Sequence, residues 1–330
     1  MPYMSEEGYV GLAKQTASGP SAYVTPSHYL YVNSIAIEPD DNLLITNAEI
    51  GSGRDITDAY EGTVKWSGSM DFVIRPEAIG LLILGAMGAV TSSGIGAGYG
   101  HTFTPKNNLV PLSVEKKVGD GLEVFGYNDT KINDLKIECA AGALAKGSVD
   151  LISVQETAGK TANTPTFETA PVFTFAGGRV NLDDSSVSVK NLSFEIKNNI
   201  VEDDYRIGSR ILGSLAEKRR ELTATIDIVP EDSKTYRKSV YGSPTATTVS
   251  GLQQTFSGAF HFSLESADGV YIPGTTQKYT LDVDIPKAVF RKAPIPTSGD
   301  DLITETLEML PIKGAGDVVT ITLRNGVSSY

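Results

Sequence analysis

Apolar and polar side chains alternate with period two along most of this chain. In residues 64–74, Val64, Trp66, Gly68, Met70, Phe72 and Ile74 are apolar or small, while Lys65, Ser67, Ser69 and Asp71 are polar. Leu222, Ala224, Ile226 and Ile228 alternate in the same way with Glu221, Thr223, Thr225 and Asp227. The rhythm recurs over residues 135–139, 148–151, 256–265 and 279–285. Successive side chains of a strand point to opposite faces, so this rhythm predicts strands with one buried and one wet face. Such strands belong to antiparallel sheets, because parallel sheets are covered on both sides. Only two stretches predict helices. Pro76-Glu77 opens an apolar run to residue 87, and Pro230-Glu231-Asp232 opens a more polar one that stops before Gly242. First-turn proline, early acids and a terminal glycine are helix boundary signals.

The order of these elements occurs twice. Ile50-Gly51-Ser52-Gly53-Arg54 precedes the first alternating run and Ile207-Gly208-Ser209-Arg210 the second, and each run leads into Pro-Glu and a helix. Asp71-Phe72-Val73-Ile74 aligns with Asp227-Ile228-Val229-Pro230. One long period predicts two similar domains and not a solenoid of short repeats. The predicted organisation is an arm at 1–33, a first domain at 34–155, a Thr/Pro/Gly-rich linker at 156–176 and a second domain at 177–330. The loops 51–62 and 208–220 occupy equivalent places, and loops of that length are often functional.

Composition narrows the function. A chain of 330 residues accommodates two cores. Its net charge of -12 disfavours partners held through phosphate neutralisation. Cys139 is the single cysteine, so no intramolecular disulfide forms. Residues 1–7 lack a basic segment followed by an apolar run, which predicts no secretory leader. The longest apolar stretch, 78–90, is too short for a bilayer span and predicts a buried helix.

Catalytic chemistry is not evident. His28, His101 and His261 are far apart and lack metal-ligand spacing. Cys139 shares the apolar face of a strand with Leu135 and Ile137 and reads as a core thiol. The glycine run 94–100 follows a helix and has Tyr99 where a dinucleotide loop needs its third glycine, so it predicts a turn. Asp40-Asp41 and Asp183-Asp184 lack the alternating oxygen ligands of a calcium loop. Asn128-Asp129-Thr130 and Asn191-Leu192-Ser193 are glycosylation sequons that need a secretory route. No cofactor and no metal are expected.

Several stretches share an order with a known family. Gly11-Leu12-Ala13-Lys14-Gln15-Thr16 leads through a Gly/Pro segment to Tyr29-Leu30-Tyr31-Val32. Ile50-Gly51-Ser52-Gly53-Arg54 is followed by Glu61-Gly62-Thr63-Val64-Lys65-Trp66-Ser67-Gly68. The first helix, Gly98-Tyr99-Gly100-His101-Thr102-Phe103 and Phe125-Gly126-Tyr127 come next. In this order the chain resembles the tail tube proteins of long-tailed bacteriophages. The resemblance implies a mainly β protein of two tandem β-sandwich or split-barrel domains, each with one flanking helix. It implies a non-enzymatic virion protein, made in the host cytoplasm, whose rings stack into the channel for DNA ejection.

Most tube subunits carry one such domain and form six-membered rings, so a duplicated chain implies trimeric, pseudo-hexameric rings, the alternative being one tube domain plus one decorative domain with six chains per ring. Implied partners are the chain itself and the tail tip, tape-measure and tail-terminator proteins, with DNA passing unbound and no membrane. The alternatives are another tail or injection-machine component and a non-catalytic β-sandwich binding module. Two sets of residues are assigned roles. The polar faces Lys65, Ser67, Ser69, Asp71 and Glu221, Thr223, Thr225, Asp227 are expected to line the channel. Arg54, Asp55, Asp58 and Glu61 of one loop, and Arg210, Lys218, Arg219 and Arg220 of the other, are expected to join adjacent rings by opposite charge.

Overall fold

The computed structural model describes residues 4–19, 22–46, 50–51, 54–183, 185–249, 257–291, 295 and 302–330. Ser52 and Gly53 of the first loop motif, and Asp184, lie outside the described residues. The first half contains β1 (Tyr9–Lys14), β2 (His28–Leu30), β3 (Ser34–Ile45), β4 (Ala59–Val73) and α1 (Ile79–Met87). It continues with β5 (Gly88–Ile95), β6 (Gly98–Pro105), β7 (Leu112–Val118), β8 (Glu123–Ala140), β9 (Lys146–Ser153) and β10 (Gln155–Thr157). The second half contains β11 (Gly178–Leu182), β12 (Ser185–Ser186), β13 (Val189–Lys197), β14 (Glu221–Ile228) and α2 (Lys234–Tyr241). β15 (Ser257–Glu265), β16 (Thr280–Arg291), β17 (Glu305–Pro311) and β18 (Thr320–Asn325) complete it. With 51% strand and 8% helix the protein is mainly β, as the alternation predicts. Among the described residues the ladders form one large open antiparallel network with no closed barrel.

The pairing order of the first half recurs in the second. In the first half β2-β1-β7-β8-β10 form one run of ladders and β3-β4-β9-β8 another. In the second half the runs are β12-β11-β15-β16-β18 and β13-β14-β17-β16. A single long strand serves both runs in each half, β8 in one and β16 in the other. β8 passes between them with Asp129 in the left-handed region (φ 51) and a register shift between Ile132 and Asp134. Such irregularities bend a strand. The registers correspond as well: Ser34 faces Asp71 where Asn191 faces Asp227, and Met70 faces Val149 where Ile226 faces Leu307.

The halves are joined by strand pairing. β13 lies antiparallel to the end of β8, with Ile137 opposite Phe194 and Leu135 opposite Ile196. The β5–β6 hairpin also reaches across, pairing with β18. A single apolar cluster runs through both halves, from Leu12 and Met70 to Phe262 and Leu323.

Two segments differ from their predicted form. Residues 9–14, expected in an arm, form β1 and are buried from Tyr9 to Ala13. The run is apolar on both faces because both are covered, so it lacks the alternation that marked other strands. Residues 156–176, expected as a linker, form a strap along the first half. There β10 pairs with β8, Phe167 stacks on Tyr31 with centroids 4.5 Å apart, and Phe173 is buried.

The strap also caps α1. A Glu168 carboxylate oxygen accepts from the backbone N–H of Glu77 (2.8 Å) and Ala78 (3.3 Å), donors that no helical carbonyl satisfies. Every residue of α1 is buried. α2 has none fully buried, matching its narrower apolar stripe. Both helices end on a left-handed glycine, Gly88 (φ 97) and Gly242 (φ 75).

Candidate functional site

The eight strands β3-β4-β9-β8-β13-β14-β17-β16 present one polar face across both halves. Directly opposed residues share a face, so the ladders can be followed outward from Asp71. Asp71 stands opposite Ser34 and Ser148, Ser148 opposite Lys136, Lys136 opposite Glu195, Glu195 opposite Thr223. A second row runs Ala36, Ser69, Asp150, Asp134, Lys197 and Glu221. A third ends Ser193, Thr225, Glu308 and Arg291. Beneath lie Met70, Phe72, Val149, Leu135, Ile137, Phe194, Ile226 and Met309, all buried. The eight residues predicted to line a channel therefore share one face, four on β4 and four on β14. Their neighbours on β3, β9, β8, β13 and β17 were not singled out from the sequence. The same period-two signal marks them, most clearly in Asn191, Ser193, Glu195 and Lys197.

Carboxylates predominate on this face. Glu38, Asp40, Asp71, Asp134, Glu138, Asp150, Glu195, Glu221, Asp227 and Glu308 lie on it, with Lys65, Lys136, Lys146, Lys197 and Arg291 among them. Three of the lysines are held by acids. Lys65 pairs with Asp40 (3.4 Å) and Glu202, Lys136 with Glu138 (2.6 Å), and Lys197 with Glu195 (2.8 Å) and Asp134 (3.7 Å). Burial pushes the Asp134 carboxyl up, and its hydrogen bond to Glu195 adds to this. Burial works against the Glu195 charge too, but bonds from Lys197 and Asp134 hold Glu195 below its usual range. Asp227 accepts from Asn191 (2.8 Å) and Thr306 (2.7 Å).

The two charged loops meet within the chain. Arg210 Nη1 lies 2.6 Å from Glu61, its Nε donates to the Gly62 carbonyl (2.9 Å), and its own carbonyl accepts from Val64 N–H (2.8 Å). Glu61 and Arg210, assigned to opposite loops, thus pair with each other inside the chain. Arg220 is also engaged at home: its Nε donates to Asn198 (3.1 Å) and its Nη2 to the Lys106 carbonyl. Residues 198–220 fold back over the first half, where Ile200, Leu212 and Leu215 cover Ile152 and Leu109. Lys131 donates to Glu217 (2.7 Å) and the Leu215 carbonyl (2.6 Å) beneath them. Arg54, Asp55, Asp58, Lys218 and Arg219 stay exposed.

The residues weighed for chemistry have structural surroundings. His101 is buried, with its ring nitrogens within hydrogen-bond reach of Ser92, Asn325 and the Val327 carbonyl. Burial lowers its pKa. Burial raises that of Cys139, which moves the thiol away from the reactive thiolate. The glycine run forms the turn of the β5–β6 hairpin, with Gly96 at φ 73. Among the described residues no group of three His, Cys, Asp or Glu side chains is arranged to hold a metal ion. Among them also, no helix is long and apolar enough to cross a membrane.

A family model described as phage tail tube protein matches residues 5–310. No curated protein matches the chain.

Proposed function

The chain belongs to the phage tail tube protein family, and we propose that it is the major tube subunit, three copies of which close a ring of six similar domains. Membership makes it a structural protein of the virion tail, one that assembles with identical subunits. The finer reading is that rings stack into a tube through which DNA leaves the particle. The observation that carries it is the β8–β13 seam. It joins the last strand of one run, β8, to the first strand of the matching run, β13, so that non-equivalent edges of the two halves lie side by side in one sheet, and it leaves β3 with β4 as its one ladder partner among the described residues. Repeating that seam between chains removes the open edges that a sheet otherwise exposes to uncontrolled pairing.

The eight-strand polar face then lines the channel. Its acid-rich, lysine-paired surface suits a wall that DNA must pass without binding. The exposed charges of the loops, Arg54, Asp55 and Asp58 with Lys218 and Arg219, face the adjacent ring. Tail tip, tape-measure and tail-terminator proteins meet the ends and interior of the tube. The reading needs no cofactor and no catalytic step.

Negative-stain microscopy of the purified protein, concentrated at moderate salt, tests this. Hollow filaments or rings are expected. A protein that stays monomeric at every concentration and salt tried contradicts it.

A further inference from the structure

We infer that Glu305 is a proton-operated latch beneath α2: the helix lies against the sheet while this carboxyl is neutral and lifts away when it ionises. The inference does not depend on how the subunits assemble.

Glu305 opens β17 on the wrong face for a charge. Thr306 shares the polar face with Asp227, to which its hydroxyl donates (2.7 Å). Glu305, one residue earlier, therefore lies on the core face with Leu307 and Met309, opposite Ile228 of β14. It is 0% exposed, and neither carboxylate oxygen has a hydrogen-bond partner. Buried polar groups are nearly always bonded, and an unpaired buried charge is costlier still. The fold does not demand a carboxyl here. Asp71 faces Ser148 in the first half as Asp227 faces Thr306 in the second, so Gly147 and Phe72 hold the places of Glu305 and Ile228. A Cβ on Gly147 would meet the Phe72 ring at 2.5 Å. The ring fills that space in the first half, and the Glu305 side chain takes it in the second, beside the smaller Ile228.

The element next to Glu305 is weakly anchored. The turn into α2 starts at Ile228, and Asp232 in that turn is near enough for its charge to act on Glu305. α2 packs against β16 with no fully buried residue, whereas every residue of α1 is buried. An element with little buried apolar surface opens at low cost. The turn and helix carry Glu231, Asp232, Lys234, Tyr236, Arg237, Lys238 and Tyr241. Lys234 lies 2.7 Å from Asp232, and Lys238 lies 2.6 Å from Asp183. Asp227, Arg291 and Glu308 of β14, β16 and β17 belong to the opposite, polar face. Burial pushes the Glu305 carboxyl up to about 7 from its usual 4.5, and the Asp232 charge adds to this. The docked form thus keeps a proton that a solvated carboxyl has already released. Docking is therefore strongest in acid and weakens as pH rises through about 7.

Hydrogen–deuterium exchange of the dilute full-length protein, corrected for the intrinsic pH dependence of amide exchange, tests the latch between pH 6 and 8.5. Protection of the α2 amides is expected to fall at least about tenfold over this range, because each pH unit above the carboxyl's titration shifts opening by up to about tenfold. The β14 amides should hold their protection. Glu305→Gln and Glu305→Leu are each expected to make α2 protection independent of pH, and either one that folds by circular dichroism decides the point. Unchanged α2 protection in the wild type overturns the inference. So does a pH dependence that survives in a folded variant, because another group then titrates. A fall shared equally by β14 overturns it as well, since that reports global unfolding. If neither variant folds, the carboxyl is part of the core and not a latch.

Discussion

Replacing Glu168 by Gln is expected to stabilise the protein above pH 7 and to do little below pH 4.5. One carboxylate oxygen of Glu168 caps α1. The other is buried without a hydrogen-bond partner among the described residues. Burial, with the neighbouring Glu77 carboxylate adding repulsion, pushes the Glu168 carboxyl up to about 7 from its usual 4.5, against the lowering pull of the two N–H donors and Arg75. The unfolded chain releases this proton near 4.5 and the folded chain near 7. Between those values the native state holds a proton that the unfolded state has lost, so stability falls as pH rises through the window. The full loss is between about 3 and 4 kcal/mol, since a tenfold change in proton affinity is worth about 1.4 kcal/mol. Gln keeps a carbonyl oxygen to accept from Glu77 and Ala78 and cannot ionise. Urea midpoints of both proteins should coincide near pH 4 and separate progressively to pH 8, with Gln the more stable. A separation that is independent of pH, or a Gln variant weaker at pH 8, would show that the ionised carboxylate is the better cap and refute the reasoning.

Arg219→Glu is expected to leave the melting temperature within about 1 °C, since an exposed charge contributes little. Arg220→Glu should cost about 2 kcal/mol or more, because the Lys106 carbonyl and Asn198 lose a donor and gain a repelling acid; equal melting curves for the two would contradict this. In Gly80→Ala the new Cβ would overlap the Tyr330 ring, whose hydroxyl donates to the Glu77 carbonyl. The helix-propensity gain of up to about 1 kcal/mol is outweighed, and a net loss of about 1–3 kcal/mol is expected from overpacking. A higher melting temperature for this variant would mean that Tyr330 yields its place freely.

The sequence made one-faced strands legible because each has water on one side and core on the other. Val64–Ile74 and Glu221–Ile228 were visible for that reason, as were both helices, whose boundaries are written in proline, acid and glycine. β1 was not visible. Tyr9-Val10-Gly11-Leu12-Ala13 is covered on both sides and carries no alternation. The strap at 156–176 is anchored by single side chains, Phe167, Glu168 and Phe173, that leave no periodic signal. The polar face was half legible. β4 and β14 were read correctly as alternating, but no sequence rule says that β8 pairs with β13 and so fuses the two faces into one. The loop charges were read with their right signs. The pairing of Glu61 with Arg210 inside the chain was not legible, because the two lie far apart in sequence and the fold-back of 198–220 is what brings them together.

The central claim is that one chain supplies two of the six similar positions in a ring. Cryo-electron microscopy of assembled tubes, reconstructed without imposed ring symmetry, tests it most directly. Three chains per ring are expected, with β8–β13 seams alternating with seams between chains around an acidic, polar lumen. Six chains per ring, each placing only one half against the channel, would contradict the account.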